Sequence, residues 1–259
     1  MGFLHAAAIL FRAQLLRLLW SRRALISVVL ALLAPLAALL LATMGRKSGP
    51  VDIAMHVGFL LQLQVLVPVL ALVNGSAAVA EEVEDRTITF LFSRPIPRPA
   101  VLVGRFGAIL TFLLGLLAVS TALLLAAADA ASGLGAPVDA GIRDPLFAAV
   151  LAGALVYSAL FAALGVFVKH PILVGLAYAF AFEGFLANLP ASTQALTIQF
   201  YLRSIMAALG SPAWNRVESF PSPSFDPLWT AVATLGNVVV VALALGCWRI
   251  ARREFVVSA

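Results

Sequence analysis

Residues 146–168 read LFAAVLAGALVYSALFAALGVFV, a run of 23 residues without a charge. As an α-helix it is about 34 Å long at 1.5 Å per residue, enough to cross roughly 30 Å of hydrocarbon. It does not alternate apolar with polar residues, as a strand of a membrane β-barrel must. Asp144-Pro145 precedes it and Lys169-His170 follows it. The reading is a transmembrane helix, which settles the fold class if similar runs flank it.

They do. Downstream lie residues 172–189, interrupted by one acid, Glu183, and residues 228–248. Upstream lie 106–128, 53–80 and 24–44. The composition agrees: 63% of the 259 residues are hydrophobic and only 11% are charged, whereas a soluble domain is about one quarter charged. So little polar surface cannot cover a soluble globule. Cys247 is the one cysteine, which excludes a disulfide scaffold. The expectation is an all-α membrane protein of six transmembrane helices in a single domain, residues 1–259. Pro35 and Pro68 fall inside spans, which membrane helices tolerate.

Six spans put both termini on one side. With that side cytoplasmic, twelve Lys and Arg lie inside and five outside. This positive-inside bias places both termini in the cytoplasm. The cations sit at span ends beside lipid headgroups, so the partner they suit is membrane lipid and not nucleic acid. The leader 1–23 carries Arg12, Arg17, Arg22 and Arg23 before the first span. That span is too long for the core of a secretory signal. Residues 3–20 mix Leu15, Leu18 and Leu19 with His5, Arg12 and Arg17, the composition of a helix lying along the membrane interface. The alternative is a plain extension of the first span.

The loop 81–105, EEVEDRTITFLFSRPIPRPAVLVGR, differs from the short connections elsewhere. Glu81 to Phe92 contains neither Gly nor Pro and can be helical, with its acids near the N-terminus. Pro95 closes the helix. Phe90-Leu91-Phe92 needs a membrane or protein contact, because water penalises such a cluster.

This loop resembles that of the ABC-2 type permeases, the membrane subunits of ABC exporters. Their pattern runs acid–x–x–acid–x–Gly–Thr, an apolar stretch, Ser–x–Pro–hydrophobic–x–Arg, then Gly–Lys/Arg. Glu81, Glu84, Thr87, Ile88 to Phe92, Ser93, Pro95, Ile96, Arg98, Gly104 and Arg105 match it; Arg86 stands where many members have glycine. The resemblance implies a prokaryotic cytoplasmic-membrane exporter subunit with a cytoplasmic coupling helix between spans two and three. That helix would dock a separate ABC ATPase through Phe90 and Leu91 in a groove, with Glu82, Arg86, Thr87 and Arg94 about them. ATP and Mg²⁺ would then belong to the partner, and this chain would carry no cofactor and no catalysis. It also implies a second permease copy or a paralogue, and short re-entrant outer helices forming a gate in the segment 190–227.

Rival chemistries fit less well. Glu81-Glu82-x-x-x-Arg86 is similar to the first signature of CAAX-type intramembrane proteases, but His5, His56 and His170 lack the companion motifs. No P-loop, His-Glu-x-x-His or cysteine pair is present, so neither ATP nor a metal is expected here. A secondary transporter remains as an alternative. Against it, the spans hold one acid and no base at depth, and two repeated three-span halves are not evident.

Glu183 is costly in a span unless it is partnered. It reads either as part of the translocation path or gate, or as a structural hydrogen bond to a neighbouring helix. Gln62, Gln64 and Asn237 read as interhelical glue. Residues 195–209 are apolar enough to dip into the membrane, whereas 211–227, rich in Ser and Pro, read as an outer cap. Residues 139–145 read as an outer loop.

The topology predicts that a cysteine added to the tail 249–259 resists an impermeant maleimide applied to intact cells. Labelling from outside would invert every span.

Overall fold

The computed structural model describes residues 2–44, 49–76, 98–130, 137–186, 194–210 and 225–252. All regular structure among them is helical. We number the helices α1 (Phe3–Leu19), α2 (Arg22–Thr43), α3 (Pro50–Gly75), α4 (Arg98–Asp129), α5 (Ala140–Phe167), α6 (171–186), α7 (Ile198–Leu209) and α8 (Leu228–Arg252). Five of them, α2, α3, α4, α5 and α8, are long and apolar enough to cross a membrane. The remaining expected span, 172–189, coincides with α6, whose continuation beyond residue 186 lies outside the described residues.

Two helix starts differ most from expectation. The third span begins at Arg98, within the segment expected to be loop. Pro99 suits a first helical turn, where its missing N–H costs nothing. The fourth begins at Ala140, so residues 140–145 are helix rather than loop. Arg143 in that first turn pairs with Asp129 at the end of α4 at 2.5 Å. Asp129 Oδ1 also accepts from the Val138 amide at 2.8 Å, which closes the connection.

α1 is a separate helix, not an extension of the first span. The chain turns at Ser21, whose hydroxyl donates to the Leu18 carbonyl (2.7 Å) and accepts from the Ala24 amide (3.1 Å). That N-cap starts α2 afresh. α1 then packs against the start of α4 through small residues. Ala6, Ala7 and Ala100 are buried together, and a Cβ on Gly104 would stand 2.6 Å from the Ala7 carbonyl oxygen.

α3 and α5 form the inner pair. Of their most apolar stretches, 61% and 67% are buried, against 17% for α8. Gly165 of α5 allows this approach: a Cβ there would lie 2.6 Å from the Ser76 carbonyl oxygen. Membrane helices associate through such backbone proximity, since lipid offers no hydrophobic drive. Tyr157, Phe59, Phe161, Leu63 and Leu70 fill the space between them and their neighbours.

Polar groups inside the bundle find partners across helices. Pro35 of α2 has no N–H to offer the Ala31 carbonyl four residues earlier. Ser120 of α4 donates to that carbonyl instead, at 2.6 Å. Gln62, fully buried, donates to Thr121 (3.3 Å) and accepts from Ser120 (3.4 Å), so it does act as interhelical glue. It sits where α3 is widened over Val57–Leu66, the Val67 amide reaching back five residues to the Gln62 carbonyl.

Gly104→Ala should destabilise the protein by roughly 1–3 kcal/mol, because a rigid carbonyl blocks the new methyl. Gly115→Ala in the same helix, with nothing within 4 Å, should leave thermal unfolding in detergent unchanged or raise its midpoint.

Candidate functional site

Glu183 lies near the end of α6, in a second widened stretch, Ala177–Glu183. Such turns rotate the residues after them relative to an ideal helix and recur at functional positions. Here Glu183 faces inward and is 1% exposed, while Phe180, Phe182 and Phe185 face out.

Three elements supply its partners. Tyr157 of α5 donates to one carboxylate oxygen. Tyr178, one turn back on α6, donates to the other at 2.9 Å. The Ile198 amide, at the start of α7, donates to that same oxygen at 3.3 Å. A carboxylate at a helix N-terminus meets free amides and the positive end of the helix dipole. Thr197 caps the same turn, accepting from the Phe200 amide (3.2 Å) and donating to the Gln194 carbonyl (2.7 Å).

A cation lies one helical turn further along α7. Arg203 is 5% exposed, and its attraction acts on Glu183 through space. Its guanidinium stacks over the Phe59 ring of α3 at 5.2 Å from the centroid. Phe59 is fully buried, so this cation–π contact is desolvated. Gln199, also on α7, reaches the Leu63 carbonyl of α3 at 3.5 Å. One acid and one base thus tie α3, α5, α6 and α7 together, and each offsets part of the other's burial.

Sequence reasoning found Glu183 and missed the rest of this cluster. Tyr157 reads as one more member of an apolar run. Arg203 counts as an outer-loop cation until α7 is seen to bury Ile198, Leu202, Ile205 and Met206 on one face and so draw Arg203 inward. Its spacing was the available signal, since 198, 202, 205 and 206 follow a helical repeat. The other expected site residues, Glu82, Arg86, Thr87, Phe90, Leu91 and Arg94, lie outside the described residues. α7 matches the segment expected to dip, residues 195–209; any second outer helix at 211–224 falls outside the described residues. Among the described residues no cluster of His, Cys, Asp and Glu is arranged to hold a metal.

The fold is therefore that of a multi-pass α-helical membrane protein. Residues 18–255 match the ABC-2 family transporter proteins, and the chain belongs to that family of transport proteins. No curated protein matches the chain.

Removing the carboxylate should separate charge from hydrogen bonding. Glu183→Ala removes the charge and every acceptor oxygen together, leaving the Tyr157 hydroxyl and the Ile198 amide without this partner, and should cost roughly 3–5 kcal/mol. Glu183→Gln keeps one acceptor, and the tyrosine hydroxyls can reorient, so the loss should be smaller, roughly 1–2 kcal/mol. Thermal unfolding in one detergent measures both. Equal losses would show that the charge, which both variants remove, and not hydrogen bonding sets the cost.

Proposed function

We propose that this chain is the permease subunit of an ATP-driven exporter in a prokaryotic cytoplasmic membrane, with both termini cytoplasmic. The observation that carries this reading is the family match over residues 18–255. A separate ATPase subunit binds ATP and Mg²⁺ and hydrolyses the nucleotide; this chain catalyses no reaction. Two copies, or this chain and a related permease, enclose the pathway between them.

Coupling runs through the loop between α3 and α4. In this reading Phe90 and Leu91 enter an apolar groove of the ATPase, while Glu82, Arg86, Thr87 and Arg94 set the register at the rim. The segment from Arg98 onward is continuous helix to Asp129, so a push on the loop acts on a rigid rod that α1 also grips.

At the other end of the molecule, Glu183 links α6 to the first turn of α7. In this reading the two move as one unit and form the outer gate. Arg203 and Phe59 give that unit its contact with α3. The site is a clasp in the wall of the pathway, its carboxylate already engaged by hydrogen bonds and its guanidinium by the Phe59 ring.

Burying one large aromatic contributes roughly 2–3 kcal/mol, a tens- to hundredfold change in association. Phe90→Asp should weaken copurification of the ATPase by that factor and uncouple hydrolysis from export, with insertion intact. Arg86→Ala should do less, since a rim charge acts mainly on register and association rate. An intact, fully stimulated complex with Phe90→Asp would overturn the docking assignment.

A further inference from the structure

A second polar site lies at the turn between α1 and α2 and shares no residue with the Glu183 cluster. A cavity of about 250 Å³ opens there, walled by Gln14, Arg17, Ser21, Arg22, Arg23 and Asn74. Arg17 and Arg22 border it with exposed guanidinium groups, and among the described residues none of those lining it is acidic. Two cations on helices that meet at one turn, Arg17 of α1 and Arg22 of α2, make a local positive field that favours an anion between them.

Asn74 adds a second demand. It is 1% exposed. Its Nδ2 is used, donating to Ser27 Oγ at 2.9 Å and to the Leu70 carbonyl at 2.8 Å. Its Oδ1 is buried with no hydrogen-bond partner among the described residues. Buried polar atoms are satisfied in the great majority of proteins. An occupant with both negative charge and a hydrogen-bond donor would complete this cavity.

Depth identifies the source. Arg22 and Arg23 open the first span, which puts the cavity at the level of phospholipid headgroups. Leu19, Trp20, Leu25, Ile26 and Val29 are exposed beside it, an apolar strip along which acyl chains can run from a headgroup.

We propose that this cavity binds the headgroup of an anionic phospholipid, its phosphodiester recognised by Arg17 and Arg22 and a headgroup hydroxyl by Asn74 Oδ1. Phosphatidylglycerol has this chemistry. Phosphatidylcholine has neither the net charge nor the hydroxyl. A soluble phosphate ester shares the oxyanion but gains nothing from the apolar strip. Guanidinium groups suit the role because they present paired donors to phosphate oxygens.

The test uses the full chain, purified in detergent and stripped of lipid, with native mass spectrometry and thermal unfolding as readouts. Added phosphatidylglycerol should bind and raise the unfolding midpoint, and phosphatidylcholine should not. Each cation near a lipid surface contributes about a fivefold change in affinity, so Arg17→Gln with Arg22→Gln should weaken phosphatidylglycerol roughly 25-fold. Both side chains are exposed, so the double variant keeps its packing. The charge-keeping pair Arg17→Lys with Arg22→Lys should retain most of the binding. Arg12→Gln, on the same helix but away from the cavity, should stay within about twofold of the parent, as one more distant charge. Equal binding of the two lipids, or full binding by the double glutamine variant, overturns the site. Stabilisation by inorganic phosphate or glycerol 3-phosphate that also displaces phosphatidylglycerol overturns the lipid assignment in favour of a soluble phosphate ester.

Discussion

A polar group inside a bilayer has no water to turn to, so each must be answered by another part of the chain. In this protein that demand sets which helices lie side by side. The Ala31 carbonyl, released by Pro35, is answered by Ser120 and so ties α2 to α4. Gln62 extends the tie to α3 through Thr121 and Ser120. Glu183 is answered by α5 and by the N-terminus of α7. Packing between these contacts is apolar and permissive; the polar contacts fix the register.

Small residues do the complementary work. Where the backbones of α1 and α4, or of α3 and α5, come closest, glycine stands at the contact and a carbonyl faces it. Van der Waals attraction over these short distances replaces the hydrophobic drive that lipid removes. The inner pair α3–α5 is built this way, and the Glu183 clasp is anchored on it through Tyr157 and Phe59. The gripping of α4 by α1 lies at the opposite end of the molecule, next to the loop that joins α3 to α4.

Much of this was legible in the residues. Charge-free runs locate the spans because hydrocarbon imposes length and apolarity directly, and the leader helix followed from its mixed composition. The ends of spans were less legible: Pro99 and residues 139–145 read as loop, and tertiary contacts with α1 and Asp129 decide for helix. Glu183 stood out because a charge in a span is conspicuous. Tyr157 did not, since its hydroxyl carries no charge and its ring suits the run. The widened turns at Val57–Leu66 and Ala177–Glu183 left no mark in the sequence, because they change hydrogen-bond register without requiring a particular residue type. The cavity between α1 and α2 was foreshadowed only as a tally of arginines; Asn74 enters it from a span fifty residues away.

The contact between Pro35 and Ser120 bears on the order of biogenesis. A chain entering the membrane from its N-terminus delivers α2 long before α4 exists. Until then the Ala31 carbonyl faces hydrocarbon or whatever the insertion machinery provides. α2 is therefore incomplete as an independent membrane segment, and the partner for its freed carbonyl arrives only with the third span. Satisfaction of this carbonyl from within the chain thus waits on residue 120 of the growing chain.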